Sequence, residues 1–156
     1  MSAIWKPAVT VAALIERDGR FLLVHERTRD GLRLNQPAGH LDAGESLVAA
    51  CRRETLEETA YNFTPTHLVG VYMWRSPEDE TYVRFVFAGE LGAFEPGRAL
   101  DAEIVRTLWL SEGELRARIA EHRNPMVIRC VDDFLRGQRY PLALIHTHGN
   151  VGVVAA

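Results

Sequence analysis

The sequence contains few lysines and few cysteines. Lys6 is the one lysine, so arginine supplies 17 of the 18 basic residues. The two cysteines, Cys51 and Cys130, lie in unrelated stretches and form no C-x-x-C pair. They therefore give no support for a zinc knuckle or for the disulfide framework of a secreted protein. We expect the protein to be cytoplasmic.

Long hydrophobic runs and an excess of positive charge are also missing. The uncharged run over 7–15 starts with proline and is too short for a signal peptide or a membrane span, so we expect no membrane association. Eighteen basic and 21 acidic residues give a net charge of -3. This sign argues against nucleic acid as a partner, because such binding depends on contacts between basic side chains and phosphates.

The length and composition predict one globular domain. The chain has 156 residues, of which 47% are hydrophobic and 25% are charged. These values are typical of soluble domains of about 150 residues and exclude wholesale disorder. We expect a single domain over 1–146 and a loosely ordered tail over 147–156, where histidine, glycine and asparagine interrupt the apolar residues.

Local patterns predict an α/β domain in which helices pack against a sheet. A turn at Asp18-Gly19 is expected to join two antiparallel strands, and 27–33 is expected to be a polar loop. Ser46 is a suitable N-cap for the strongest helix, and Ser111 and Glu114 have the spacing of a capping box. The predicted strands cover 9–15, 21–24, 67–74, 82–91 and 105–110, and the predicted helices cover 46–59, 111–121 and 125–135.

The strongest helix carries acids where apolar residues should continue. Its inward stripe is apolar at positions 47, 50 and 51, and one turn later the same sector contains Glu54, Glu57 and Glu58. Acids three or four residues apart repel one another by a few tenths of a kcal/mol on an exposed helix, and the cost rises with burial. A solvated acidic face is one interpretation of this pattern.

A bound divalent cation is the other interpretation. The acids continue the side that should pack, a second apolar seam at Ala49 and Leu56 covers the other side, and acids at a helix C-terminus oppose the macrodipole. Carboxylate oxygens without nearby cysteine or histidine select Mg²⁺ or Mn²⁺. Enzymes that act on phosphate groups commonly use a bound magnesium ion that keeps several water ligands. We therefore expect polyphosphate hydrolysis. Gly39 and Gly44, just before the helix, permit tight backbone near a metal or phosphate.

The spacing of these residues resembles the signature of the Nudix hydrolase family. The pattern G-x5-E-x7-R-E-U-x-E-E-x-G-U, where U is apolar, matches at six charged or glycine positions: Gly39, Glu45, Arg53, Glu54, Glu57 and Glu58. Thr55 stands where an aliphatic residue is usual, and Ala60 replaces the glycine after the helix. The segments 35–41, 128–130 and 137–142 resemble the NudJ-like phosphatase subgroup, although Leu34 occupies a position where tryptophan is expected.

The resemblance implies a fold and a metal site. The fold would be a three-layer α/β/α sandwich with a mixed sheet. Mg²⁺, with Mn²⁺ as an alternative, would be bound by Glu54, Glu57, Glu58 and the carbonyl of Gly39. Arg53 would serve the reaction indirectly by pairing with Glu45, which fixes the loop against the helix.

The resemblance also implies an activity. NudJ-like enzymes hydrolyse phosphoanhydride bonds of nucleoside tri- and diphosphates and of hydroxymethylpyrimidine pyrophosphate, and they release phosphate. Three alternatives remain open: hydrolysis of ADP-ribose or dinucleoside polyphosphates, a sensor that binds nucleotides without cleaving them, and hydrolysis of RNA 5′ ends. The intact glutamate set disfavours the sensor, and the negative net charge disfavours the RNA enzyme. We expect a monomer or homodimer.

Several residues outside the signature are further candidates. Glu103 precedes a predicted strand where many Nudix enzymes have an additional carboxylate that binds metal or acts as a base. Asp101 is the second choice for this role, and an exposed loop acid is the alternative for both. Trp74 could stack on a base, although aromatic residues in strands are more often core. His40 and Arg33 are candidate contacts of the substrate.

Overall fold

The computed structural model describes residues 3–149 and residue 151, and within them it contains nine strands and three α-helices. The strands are β1 Ala8–Leu14, β2 Glu16–Arg17, β3 Arg20–Thr28, β4 Gly31–Asn35, β5 Ala38–His40, β6 Tyr61–Arg75, β7 Thr81–Phe94, β8 Ile104–Ser111 and β9 Tyr140–Pro141. The helices are α1 Leu47–Thr59, α2 Glu112–Ala117 and α3 Met126–Leu135, and two short 3-10 helices cover Ile119–Glu121 and Leu142–Leu144.

The strands form two sheets. The larger sheet has five strands in the order β5-β1-β7-β6-β9. Its β1 and β7 run parallel, whereas its other neighbours run antiparallel. The smaller sheet is antiparallel, with β3 pairing with β2, β4 and β8. The larger sheet is therefore mixed, as predicted.

The predicted hairpin between the first two strands is wrong. The sequence predicts that 9–15 pairs with 21–24, but β1 lies between β5 and β7. Of the two strands before the turn, the two-residue β2 is the one that pairs with β3. The Asp18-Gly19 turn is present, with φ of 52° and 74°. Because the last four residues of β1 are all buried, the strand is covered on both faces, which is typical of a strand with a parallel neighbour. Because β7 is distant from β1 in sequence, no local sequence pattern predicts that the two strands pair.

Other boundaries also differ from the predictions, and the strand predicted over 67–74 begins six residues earlier, at Tyr61. The polar segment 27–33 is a tight hairpin, because β3 extends to Thr28 and β4 begins at Gly31. The helix predicted over 111–121 ends at Ala117 and continues as a 3-10 turn, with Arg118 at φ -108° between the two. The capping box at the start of α2 is confirmed, because Ser111 and Glu114 exchange hydrogen bonds.

The helices cover both faces of the sheets. One core, on the side of α1, joins residues of β1, β3, β6 and β7 to Ala50 and Cys51. The other core joins alternate residues of the same strands to Leu115 of α2 and to Val127, Cys130 and Val131 of α3. The three-layer α/β/α arrangement with a mixed sheet is confirmed. The layers place the acidic end of α1 beside the short strand β5.

The C-terminal segment returns to the larger sheet. Gly137, at φ 84°, follows α3, and Tyr140 and Pro141 then pair with β6. Within the predicted tail, positions 150 and 152–156 lie outside the described residues, and 147–149 and 151 are exposed and contain no helix or strand. Among the described residues, no helix is long and apolar enough to cross a membrane.

Candidate active site

Helix α1 presents its acids on the packed side. The Ser46 hydroxyl accepts a hydrogen bond from the Ala49 N–H at 3.1 Å, so this residue is the N-cap predicted from sequence. The side of α1 that contains Ala50 and Cys51 continues into Glu54 and Glu58, which are only 8% and 6% exposed. These two acids do not form a solvated face, which removes the first interpretation of the sequence pattern.

Three carboxylates converge at the end of the helix. Oxygens of Glu54, Glu58 and Asp101 all lie within 4.8 Å of one another. Asp101 comes from the loop before β8, and its N–H donates to the Glu57 carbonyl at 3.0 Å, which ties the loop to the helix. The sequence favoured Glu103 over Asp101 as the additional carboxylate. The structure instead brings Asp101 to this cluster and leaves Glu103 on the wall of a neighbouring cavity.

Gly39 packs directly against the cluster. A Cβ at this position would lie 2.1 Å from the Glu54 carboxylate carbon, so no other residue could occupy it without moving that side chain. The preceding residue, Ala38, donates its N–H to a Glu58 oxygen at 2.9 Å. The backbone of β5 therefore lies directly against the carboxylates of Glu54 and Glu58. This close approach requires glycine at position 39, where the family pattern also has glycine.

Burial dominates the electrostatics of the cluster. Loss of hydration raises the pKa of Glu58 to about 9 despite the hydrogen bond from Ala38. Burial also raises the pKa of Glu54, and the neighbouring charges of Glu57 and Asp101 act in the same direction. Carboxylates in this state bind protons unless another cation replaces them. The set of hard oxygens therefore fits a divalent cation such as Mg²⁺.

Arg53 connects the loop before α1 to the helix. Its guanidinium donates to Glu45 at 2.7 and 3.0 Å and to the His40 carbonyl at 3.0 Å. The same group donates to Glu54 at 2.7 Å and to Glu57 at 3.0 Å. These bonds lower the pKa of Glu45 and raise that of Arg53. The Arg53–Glu45 pairing is present as expected, whereas Glu57 faces Arg53 rather than joining the three clustered acids.

A cavity of about 980 Å³ adjoins the cluster and collects the other candidate residues. Trp74 stacks on Tyr82, with ring centroids 5.8 Å apart and planes inclined by 24°. The His40 ring lies 6.4 Å from Tyr82. The residues of the sequence prediction that line the cavity are Gly39, His40, Arg33, Trp74 and Glu103.

The same cavity contains residues that the sequence reasoning missed. Glu26 and Asn35 lie on its wall, together with the buried Arg84. A signal was present for Arg84, because an arginine interrupts the apolar strand that includes Val83, Phe85 and Val86. Nothing in the local pattern of β3 separates Glu26 from its exposed polar neighbours.

The sequence pattern of the NUDIX domain matches residues 5–130. The chain belongs to the Nudix family. It is 38% identical to the phosphatase NudJ of Escherichia coli (strain K12) and of Shigella boydii serotype 4 (strain Sb227), over 91% of this chain and 92% of each relative. As a Nudix hydrolase related to these phosphatases, the protein is a phosphohydrolase.

Solved structures agree with this family. A NUDIX hydrolase from Nitrosomonas europaea is 49% identical and superposes with a TM-score of 0.90, covering 92% of this chain and 98% of that one. A MutT NUDIX hydrolase from Burkholderia pseudomallei, at 22% identity, has a TM-score of 0.71 over 83% of this chain and 98% of its own, and it shows the common fold. Nudix hydrolases use divalent metals, which is consistent with the carboxylate cluster.

Proposed function

We propose that this Nudix hydrolase is a Mg²⁺-dependent phosphatase of nucleoside tri- and diphosphates and of hydroxymethylpyrimidine pyrophosphate. The observation that carries the proposal is the convergence of Glu54, Glu58 and Asp101 against the backbone of Gly39. Two buried carboxylates with raised pKa values, next to a large cavity, are suited to a hard cation and a phosphate ligand.

In this proposal the residues of the site have different roles. Glu54, Glu57, Glu58 and the Gly39 carbonyl, with Asp101, would hold Mg²⁺ or Mn²⁺. Such an ion supplies charge neutralisation at the phosphate and lowers the pKa of a bound water. Arg53 keeps the loop and the helix together, because it bonds Glu45 and His40 on one side and Glu54 on the other. Glu103 is our candidate for the base that accepts the proton of the attacking water.

The cavity offers side chains that could bind the phosphates and the organic group of the substrate. Arg33 forms no ion pair with any residue in the described part of the chain, so its guanidinium is available to a phosphate oxygen. His40 is exposed at the cavity next to Tyr82. Trp74, stacked on Tyr82, offers an aromatic surface for a pyrimidine or purine ring. The choice of substrates rests on the similarity to the NudJ phosphatases.

The test is a panel of diphosphate substrates assayed with Mg²⁺. We expect hydroxymethylpyrimidine pyrophosphate or a purine nucleoside di- or triphosphate to have a higher kcat/KM than ADP-ribose and diadenosine tetraphosphate, with free phosphate as a major product. A survey in which ADP-ribose has the highest kcat/KM would refute the substrate class. Nucleotide binding without any turnover would instead identify a sensor.

A further inference from the structure

Glu26 has an acceptor atom that the fold leaves free. This residue of β3 lines the cavity, and its side chain is 15% exposed. Its Oε1 accepts a hydrogen bond from the Asn35 amide at 3.2 Å and lies 3.8 Å from Nε of Arg123. Its Oε2 accepts no hydrogen bond from the residues that the structure describes. A free carboxylate oxygen on a largely buried side chain beside a cavity is an acceptor suited to a ligand donor.

A buried arginine fixes the orientation of this carboxylate. Arg84 is 2% exposed and donates through both terminal nitrogens to Asn35 Oδ1, at 3.1 Å each. Because a guanidinium can only donate, the Asn35 oxygen must face Arg84 and the Asn35 NH₂ must face Glu26. Arg84 also donates to Gln36 Oε1 at 2.8 Å, but the Gln36 amide continues to the Val127 carbonyl and not into the cavity.

Arg84 has no ion-pair partner within the described part of the chain. Burial lowers its pKa, which measures the cost of keeping this charge away from water. An apolar residue would fill the same place in the core at a lower cost. We therefore assign Arg84 a positioning role, because its hydrogen bonds to Asn35 hold the Asn35 amide of the cavity wall in one orientation.

The contacts also give the order of groups along the cavity. Glu26 lines the same cavity as Gly39 and as Ala38, whose N–H donates to Glu58, so Glu26 shares this wall with the metal-binding end proposed above. Tyr82, the partner of Trp74 in the aromatic stack, lies on β7 two residues before Arg84 and on the same face, and Arg84 bonds the Asn35 side chain that holds Glu26. If the diphosphate of the substrate binds at the acidic cluster and its ring stacks on Trp74, the part of the substrate that links them would lie beside Glu26.

We propose that Glu26 accepts a hydrogen bond from the organic group of the substrate, in the part that links the diphosphate to the ring, and that Arg84 positions Glu26 through Asn35. Glu26 then selects diphosphates whose organic group carries a hydroxyl or amino donor over diphosphates of simple alkyl groups. This inference rests on the proposed function, because it places the diphosphate at the acidic cluster.

The experiment compares two non-hydrolysable ligands by calorimetric titration in Mg²⁺. The first is α,β-methylene-ADP, whose organic group carries hydroxyl and amino donors, and the second is the pentyl ester of methylenediphosphonate, whose organic group carries none. Glu26→Gln turns the free acceptor into an NH₂ group. We expect this variant to weaken binding of the nucleoside ligand by about tenfold, as for loss of one hydrogen bond to a charged group, and to change the alkyl ligand by less than about twofold.

Two isosteric variants separate positioning from stability. Asn35→Asp and Gln36→Glu each add a carboxylate beside Arg84, so both place the same charge next to the buried guanidinium. Only Asn35→Asp removes the donor that holds Glu26. We expect Asn35→Asp to reproduce the selective loss of the nucleoside ligand, and we expect Gln36→Glu to keep the wild-type ratio of the two Kd values, whatever the melting temperatures of the variants.

Three results would overturn the inference. Equal weakening of both ligands in Glu26→Gln would mean that Glu26 acts on the diphosphate or the metal. Unchanged Kd values for both ligands would mean that Glu26 does not contact the organic group. The same change of ratio in Gln36→Glu and in Asn35→Asp would mean that Arg84 acts through general stability. Absence of phosphate release by the wild type from every substrate of the panel would refute the proposed function, whereas the Kd ratio would still test Glu26.

Discussion

The backbone of Gly39 lies so close to the Glu54 carboxylate that a methyl group at position 39 would be 2.1 Å from the carboxylate carbon. The obstructing atoms are the far end of a flexible side chain, so the fold can accommodate an added Cβ by turning Glu54 out of place. Activity and stability should therefore respond differently to a substitution at Gly39.

We expect Gly39→Ala to lower kcat by roughly a hundredfold, as displacement of a catalytic group by about 1 Å can do, with a small change in melting temperature. The control is Gly113→Ala in α2, where, among the described residues, a Cβ would meet nothing within 4 Å beyond its chain neighbours and its own helix backbone. Phosphate release and thermal melting of both variants check this prediction. Full activity of Gly39→Ala would show that the placement of Glu54 does not matter.

Without metal, stability should fall as the pH rises. Burial raises the pKa of Glu58 in the folded protein from its ordinary value of 4.5 to about 9. Between these values the folded state keeps a proton that the unfolded state has released, so the free energy of unfolding decreases with increasing pH. Below pH 4.5 the group is protonated in both states and contributes no such effect.

The measurement is urea denaturation in EDTA between pH 5 and about pH 9. We expect the free energy of unfolding to fall more steeply with pH in the wild type than in Glu58→Gln, which cannot ionise. Parallel slopes for the two proteins would mean that Glu58 ionises in the folded state as readily as in the unfolded state.

The structure separates two candidate carboxylates before β8. Asp101 lies with Glu54 and Glu58, whereas Glu103 lines the cavity. If the cluster binds Mg²⁺, the ion should raise the melting temperature by mass action, and the rise should be much smaller in Asp101→Asn than in Glu103→Gln. Melting curves over a series of Mg²⁺ concentrations decide this point. A smaller rise in Glu103→Gln would restore the order of preference given by the sequence.

Ala60 ends α1 in a left-handed conformation, with φ 60° and ψ 12°. A Cβ is disfavoured in this region by about 1 kcal/mol, so Ala60→Gly should raise the free energy of unfolding by up to about 1 kcal/mol. The greater freedom of glycine in the unfolded chain and the loss of a buried methyl group reduce this gain.

The reciprocal change is Gly137→Ala after α3. Gly137 has φ 84°, and an added Cβ would meet no other residue of the described chain within 4 Å, so the backbone conformation is what opposes alanine there. We expect this variant to lose about 1 kcal/mol. Chemical denaturation measures both proteins. A less stable Ala60→Gly would show that the buried methyl group outweighs the strain.

The local period of α1 predicts that Glu54, Glu57 and Glu58 lie on its inward side, and the structure buries Glu54 and Glu58 there but leaves Glu57 partly exposed against Arg53. The roles of Ser46, Glu54 and Glu58 can be predicted from helix geometry. The N-cap and the side of the helix on which a residue lies depend only on neighbours within a few residues. Asp101 and Arg84 could not be placed in this way. Asp101 reaches the cluster because its loop bonds to the end of α1, and Arg84 is buried because β1 and β6 flank its strand.

The same limit explains the errors in the fold. The turn at Asp18-Gly19 was predicted correctly from two residues, but its flanking strands belong mainly to different sheets. The parallel partner of β1 is β7, with Val11 opposite Phe85, and such distant pairing leaves no local pattern. The second helix was predicted too long because the change to a 3-10 turn at Arg118 has no distinct sequence signal.

Phosphate release from ADP by Glu54→Gln tests whether the carboxylate cluster of α1 performs a metal-dependent hydrolysis. The assay compares this variant with the wild type and with Glu112→Gln, which alters an exposed glutamate of α2, in Mg²⁺ and again in EDTA. We expect turnover by the wild type and by Glu112→Gln that depends on Mg²⁺, and we expect Glu54→Gln to be slower by orders of magnitude. Turnover that persists in EDTA, or that survives in Glu54→Gln, would contradict a metal-dependent reaction at this cluster.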